Sequence, residues 1–171
     1  MDWKRLVVGR FSWKRVMADV LLLPVLTYVG LMVYAWLCAD RSIFLPQPCS
    51  YAPSDDHIAL ATPDGETLCA AYLPNPAARF TILYSHGNAE DLGDVMPAME
   101  ALRQQGFAVF AYDYRGYGLS TGHPSVRGAC SDVVTAYRYL TATLGIPAGS
   151  IVPYGRSVGG GPAVHLAATH P

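Results

Sequence analysis

Two hydrophobic patterns divide the chain. From Val20 to Ala39 it reads VLLLPVLTYVGLMVYAWLCA, with no charged residue. As a helix this run rises about 30 Å, the thickness of a bilayer hydrocarbon core. Asp19 and Asp40 bracket it, and Trp13, Tyr34 and Trp36 suit interfacial aromatic belts. Pro24 and Gly30 are tolerated in membrane helices. Beyond Asp56 the pattern changes to short apolar runs separated by turn residues. HIALAT (57–62) and TLCAAYLP (67–74) flank Pro63-Asp64-Gly65 and predict a β-hairpin. FTILYSHG (80–87), FAVFAYD (107–113) and SIVPYG (150–155) predict buried strands. Between them, 91–106 carries Leu92, Val95, Met99 and Leu102 at helical spacing, closed by Gly106. Pro97 inside it predicts a late start or a kink. A second helix is predicted over 125–145, with Val126, Cys130, Val133, Val134, Tyr137, Leu140 and Leu144 on one face. A third begins at Gly160. Strands alternating with helices of this length predict an α/β fold with a mostly parallel sheet.

The segments give four regions: a basic flank 1–19, an anchor 20–39, a proline-rich extended linker 40–56, and a partial α/β domain 57–171. The basic residues Lys4, Arg5, Arg10, Lys14 and Arg15 precede the apolar run, and only Arg41 closely follows it. Positive flanks stay inside. The expectation is a single-pass signal anchor whose partner is the bilayer, through Val20–Ala39, with the N-terminus cytoplasmic and the domain on the opposite side. A cleaved secretory signal is the competing reading. The run is longer than the usual signal core of about 7–15 residues, and Trp36, Leu37 and Cys38 make a poor cleavage site.

Charge and composition narrow the function classes. The net charge is −1, so no global bias points to nucleic acid. Cys38, Cys49, Cys69 and Cys130 form no pair or cluster with metal spacing, and no metal or cofactor is expected. Cys69 and Cys130 read as buried free thiols; a disulfide stays open for a domain facing an oxidising compartment.

Residues 155–159 read Gly-Arg-Ser-Val-Gly, a G-x-S-x-G placed between a predicted strand and a predicted helix. Such a turn strains the serine backbone and raises its Oγ above the end of the sheet. Gly155 and Gly159 give the turn room. Ser157 is therefore the candidate nucleophile, and the N–H of Val158 a candidate oxyanion donor. After the strand FTILYS come His86-Gly87-Asn88-Ala89-Glu90-Asp91, where the N–H of Asn88 is the second candidate donor. His86 at a strand end reads as a structural hydrogen-bonder.

HGNAED, YDYRGYGLSTG and YGRSVGGGPA occur in that order and together resemble the α/β-hydrolase superfamily, in its membrane-anchored esterase, peptidase-like and depalmitoylase-like branch. The resemblance covers 57–171 and implies Ser157 as nucleophile, with Asn88 and Val158 as oxyanion donors. It implies a small-molecule or acylated substrate carrying an ester, thioester or amide. It gives Asp113, Arg115, Gly116 and Gly118 structural roles. That family orders its triad as Ser, acid, His. No Asp or Glu follows Ser157 here, and His165 and His170 lie along the helix that leaves it. His165 would sit roughly 12 Å away along that helix, beyond hydrogen-bond reach. Asp113, His57 and His123 precede the elbow and are not expected in a triad. The expectation is the N-terminal half of an α/β-hydrolase fold, its elbow strand left at a sheet edge, cut from a longer protein. A short protein completed by another chain is the rarer case. The contrasting class is a membrane-anchored binding protein that keeps the fold without catalysis. Oligomeric state is not legible.

Overall fold

A computed structural model describes residues 13–170. Most of the predicted basic flank, residues 1–12, lies outside the described residues, as does Pro171. The chain divides into two compact units between Ala39 and Asp40.

Helix α1, Trp13–Ile43, contains Pro24 and carries the apolar run. Its stretch Val16–Ile43 is long and apolar enough to cross a membrane. Its apolar side chains are exposed all round, from Leu21 to Trp36, as expected of a helix without an apolar stripe.

The second unit holds a five-stranded sheet in the order β1-β2-β4-β3-β5. Strands β1 (Ile58–Ala61) and β2 (Thr67–Leu73) form the predicted antiparallel hairpin, which joins β4 (Ala108–Tyr112) antiparallel. Strand β3 (Thr81–Ser85) pairs parallel with both β4 and β5 (Ile151–Gly155). The sheet is thus mixed: parallel where helices connect the strands, antiparallel where the hairpin enters. Every residue of β3 and β4 is buried, which fits their unbroken apolar runs.

Helices cover the sheet. Helix α2, Leu92–Gln104, buries Leu92, Val95 and Met99 as its spacing predicts. It begins at Leu92 despite Pro97, so the predicted late start does not occur. Asp91 caps it through the Gly93 and Asp94 amides, while Asp94 returns a contact to the Asp91 amide. This capping box fixes the first turn before the proline is reached. Helix α3, Val126–Arg138, passes into a π-helical turn at Tyr139–Thr143. Its buried face includes Val133 and Leu140 as predicted, with Val134 and Tyr137 packed against the core, but is turned toward smaller residues. Val126 is 50% exposed, whereas Ala129, Asp132, Val133, Ala136 and Leu140 are buried. Small residues allow a close approach to the sheet, and buried Asp132 is paired with Arg115.

The segment predicted as an extended linker is docked instead. Phe44 is buried against Tyr114 and Tyr117, at centroid distances of 6.4 and 6.5 Å. Ser50 donates its N–H to Asp91 Oδ2 at 2.7 Å, and the Tyr51 hydroxyl donates to Asp113. The prolines keep this segment extended, and single side chains fix it to the domain.

Pro153 does not mark a bulge, because the β3–β5 register runs unbroken from Thr81↔Ile151 to Ser85↔Gly155. Arg156 N–H donates to Ser85 O at 3.0 Å. Amides alternate sides along a strand, so the Pro153 nitrogen faces the open edge, where no ladder bond is lost. The elbow strand is the edge strand among the described residues, as expected, with Tyr154 43% exposed. No disulfide joins the cysteines among the described residues; Cys69 is buried, Cys130 partly so and Cys49 exposed.

Candidate active site

Strand β5 ends at Gly155, a tight turn follows at Ser157–Gly159, and helix α4 runs over Gly160–Thr169. Ser157 has φ +52°, in the left-handed region that side chains other than glycine rarely enter. Its side chain is exposed, and its hydroxyl has no partner among the described residues. The flanking glycines make this bend possible. A Cβ on Gly155 would strike the Gly159 carbonyl, and one on Gly159 would strike the carbonyls of Ser85 and His86. The turn is therefore pressed against the end of β3, from which the His86–Asp91 loop departs.

That loop has its own strained residue, Ala89 at φ +56°. Its peptides are held individually. His86 Nδ1 donates to Gly87 O at 2.8 Å, and Gly87 N–H donates to Glu90 Oε2 at 2.8 Å. The Asn88 side-chain oxygen accepts from Leu45 N–H, Tyr117 Oη and Ala89 N–H at 2.8, 2.8 and 3.0 Å. The backbone N–H groups of Asn88 and Val158 have no acceptor among the described residues. An ion pair between Glu90 and Arg156 joins the loop to the elbow. The three sequence-predicted residues Ser157, Asn88 and Val158 thus belong to two turns stitched at Ser85, His86 and Arg156.

Behind the loop lies a buried polar group. His86 and Asp113 are both fully buried, with His86 Nε2 3.5 Å from Asp113 Oδ1. That is a long contact, and Nε2 has no closer hydrogen-bond partner. Asp113 also accepts from Leu92 N–H at 2.8 Å. Burial lowers the His86 pKa and pushes that of Asp113 up to about 7. Arg115 forks onto buried Asp132 at 2.7 Å and onto Asp64 at 2.7 Å, tying the loop after β4 to α3 and to the hairpin turn. Asp113 and Arg115 are structural here, as the resemblance implies.

Sequence reasoning missed Leu45, Tyr51, Glu90, Tyr117 and Arg156. Only the Glu90–Arg156 pair left a signal, as opposite charges inside the two motifs. No cluster among the described residues could hold a metal ion. The concavities lined by Leu60 and Tyr139, by Asp64 and Arg127, by Cys130 and His165, and by Ile58 and Leu119 include none of Ser157, Asn88 or Val158.

A mixed sheet whose edge strand passes through a strained serine turn into a helix is that of an α/β-hydrolase fold. The sequence model of the serine aminopeptidase, S33 family matches residues 76–171, and the chain belongs to that family. It is 43% identical over 103 residues to the alpha/beta hydrolase domain-containing protein aho-3 of Caenorhabditis elegans, covering 58% of this chain and 30% of that protein. It is 38% identical over 96 residues to human alpha/beta hydrolase domain-containing protein 17C, covering 56% and 29%. The chain therefore spans about a third of the length of these curated relatives. The Pyrococcus furiosus esterase Pf2001 superposes with a TM-score of 0.60 at 22% identity, over 74% of this chain and 52% of that one. At that identity the likeness is one of fold.

Proposed function

We propose that the chain carries the nucleophile half of a serine hydrolase acting on an ester, thioester or amide. Ser157 Oγ attacks the substrate carbonyl carbon, and the carbonyl oxygen takes up the negative charge. The N–H groups of Asn88 and Val158 donate to that oxygen. Each such donor contributes about 2.7–4 kcal/mol of transition-state stabilisation. The leaving group departs to give an acyl-serine, which water then hydrolyses.

In the order Ser, acid, His that this fold uses, both triad partners follow the nucleophile, and we place the general base and its carboxylate outside these 171 residues. His86 is buried and committed to Gly87 O, His57 Nδ1 accepts from Ser54 N–H, and His170 Nδ1 meets Thr169 Oγ1. His165 lies on α4, which leads away from the elbow. The observation that carries the reading is Ser157 itself, exposed and unpartnered at φ +52° between strand and helix. A serine held there without chemistry would be a strained position with no compensating use.

The bilayer is the second proposed partner. Val20–Ala39 serves as a single-pass anchor, with the N-terminus cytoplasmic and the hydrolase domain on the far side. The support is the helix of sufficient length and the basic residues before it.

Fluorophosphonate labelling of the protein that carries this chain tests the enzymatic reading. Labelling should be lost in Ser157→Ala at unchanged expression and fold. Equal labelling of that variant would refute the assignment.

A further inference from the structure

The docked segment 44–51 reaches the His86–Asp91 loop at both of its ends. At the first, Leu45 N–H is shared between Asn88 Oδ1 at 2.8 Å and Tyr117 Oη at 3.0 Å, and the Tyr117 hydroxyl donates to the same Asn88 oxygen at 2.8 Å. At the other, the Ser50 N–H and hydroxyl both donate to Asp91, the cap of α2. Phe44 pins the segment by packing beside Tyr117 in the core. Between these two ends stands Ala89, whose left-handed conformation persists only where its surroundings over-determine it.

These contacts bear on an atom the proposed reaction uses. The Asn88 side chain grows from the same Cα as its N–H. Fixing Oδ1 from three directions therefore limits the rotation of the Gly87–Asn88 peptide. His86 fixes the other end of that peptide by donating to Gly87 O. In a trans peptide the N–H points opposite to the carbonyl, so holding Gly87 O toward His86 turns the Asn88 N–H away from the core. An oxyanion donor stabilises charge only if it is aimed before the reaction begins.

We propose that residues 44–51 are a positioning strap for the oxyanion loop, acting through the Leu45 N–H and the Tyr117 hydroxyl on the Asn88 side chain. This rests on Asn88 N–H being an oxyanion donor for Ser157. The strap makes the polypeptide just after the apolar helix a working part of the catalytic unit, not a spacer. Leu45 and Tyr117 are positioning residues, since neither needs to touch the substrate.

The test is a double-mutant cycle on ester hydrolysis by the protein that carries this chain, with Ser157→Ala run beside it. Tyr117→Phe keeps the ring and deletes the hydroxyl that bridges strap and loop. It should lower kcat by about 3- to 10-fold, the worth of one hydrogen bond, with KM unchanged. Asn88→Ala deletes the acceptor and should lower kcat similarly. The double variant should be no slower than the slower single one, because both changes break one link. An unchanged kcat in Tyr117→Phe, or losses that multiply in the double variant, overturns the strap. If Ser157→Ala abolishes turnover in that case, the site reading survives and only the strap fails. If turnover persists without Ser157, both fail.

Discussion

Burial drives His86 and Asp113 toward their uncharged forms, and the two effects meet in one place. With Asp113 raised to about 7 and His86 lowered, the folded pair favours its proton on Asp113. The unfolded chain also holds one proton there between about pH 4 and 6.5, on the histidine instead, given ordinary values of about 3.9 and 6.5. Taken singly the groups oppose each other. The raised Asp113 contributes stability that is lost as pH rises through its folded value. The lowered His86 contributes stability that is lost as pH falls below about 6.5. Together they offset each other, so stability varies less with pH in that window than either group alone would make it. Asp113→Asn removes only the first contribution. Its stability should fall relative to the parent as pH drops from about 6.5 toward 4, with a limiting slope of about 1.4 kcal/mol per pH unit. Urea unfolding at stepped pH measures this, and a variant with the parent's pH dependence would show that Asp113 does not hold its proton in the fold. At this scale the elbow was legible, because Gly155, Ser157 and Gly159 are adjacent in sequence and their spacing is the geometry. The Asn88 contacts were not, since Leu45 and Tyr117 lie 43 and 29 residues away from it.

Elements followed their hydrophobic periods or, for β3 and β4, their unbroken apolar runs. The hairpin, β3, β4 and α2 fall within a few residues of their predicted spans. Helix α3 was legible at Val133 and Leu140, but the rest of its buried face was not, because Ala129, Ala136 and a charged Asp132 carry it and periodicity looks for large apolar residues. Asp132 is tolerated because Arg115 answers it with a fork and donates its own backbone N–H at 3.0 Å. Asp132→Ala leaves a largely buried guanidinium short of its main partner, and should cost about 3–5 kcal/mol in chemical unfolding. Arg156→Ala breaks an ion pair whose arginine is 59% exposed, and should cost no more than about 1 kcal/mol. A comparable loss in both variants would contradict this ranking of the two pairs. The docked segment 44–51 could not be read as an element at all. It has no period, and three prolines near it mimic a spacer.

For the molecule as a whole, the sequence shows an apolar run beside an α/β pattern, and the structure adds where the second unit begins to pack. The domain's packing begins at Phe44 and not near residue 57, so the stretch between apolar helix and sheet is part of the folded unit. The proposed topology predicts that, in sealed vesicles with the cytoplasmic face inward, added protease digests the domain while the N-terminal flank is protected. Protection of the domain would reverse the orientation. The catalytic claim itself is tested most directly by mass-spectrometric mapping of a fluorophosphonate adduct on the protein that carries this chain. The account predicts the phosphonyl group on Ser157, within the peptide containing Gly155-Arg156-Ser157. An adduct confined to any other residue would contradict it.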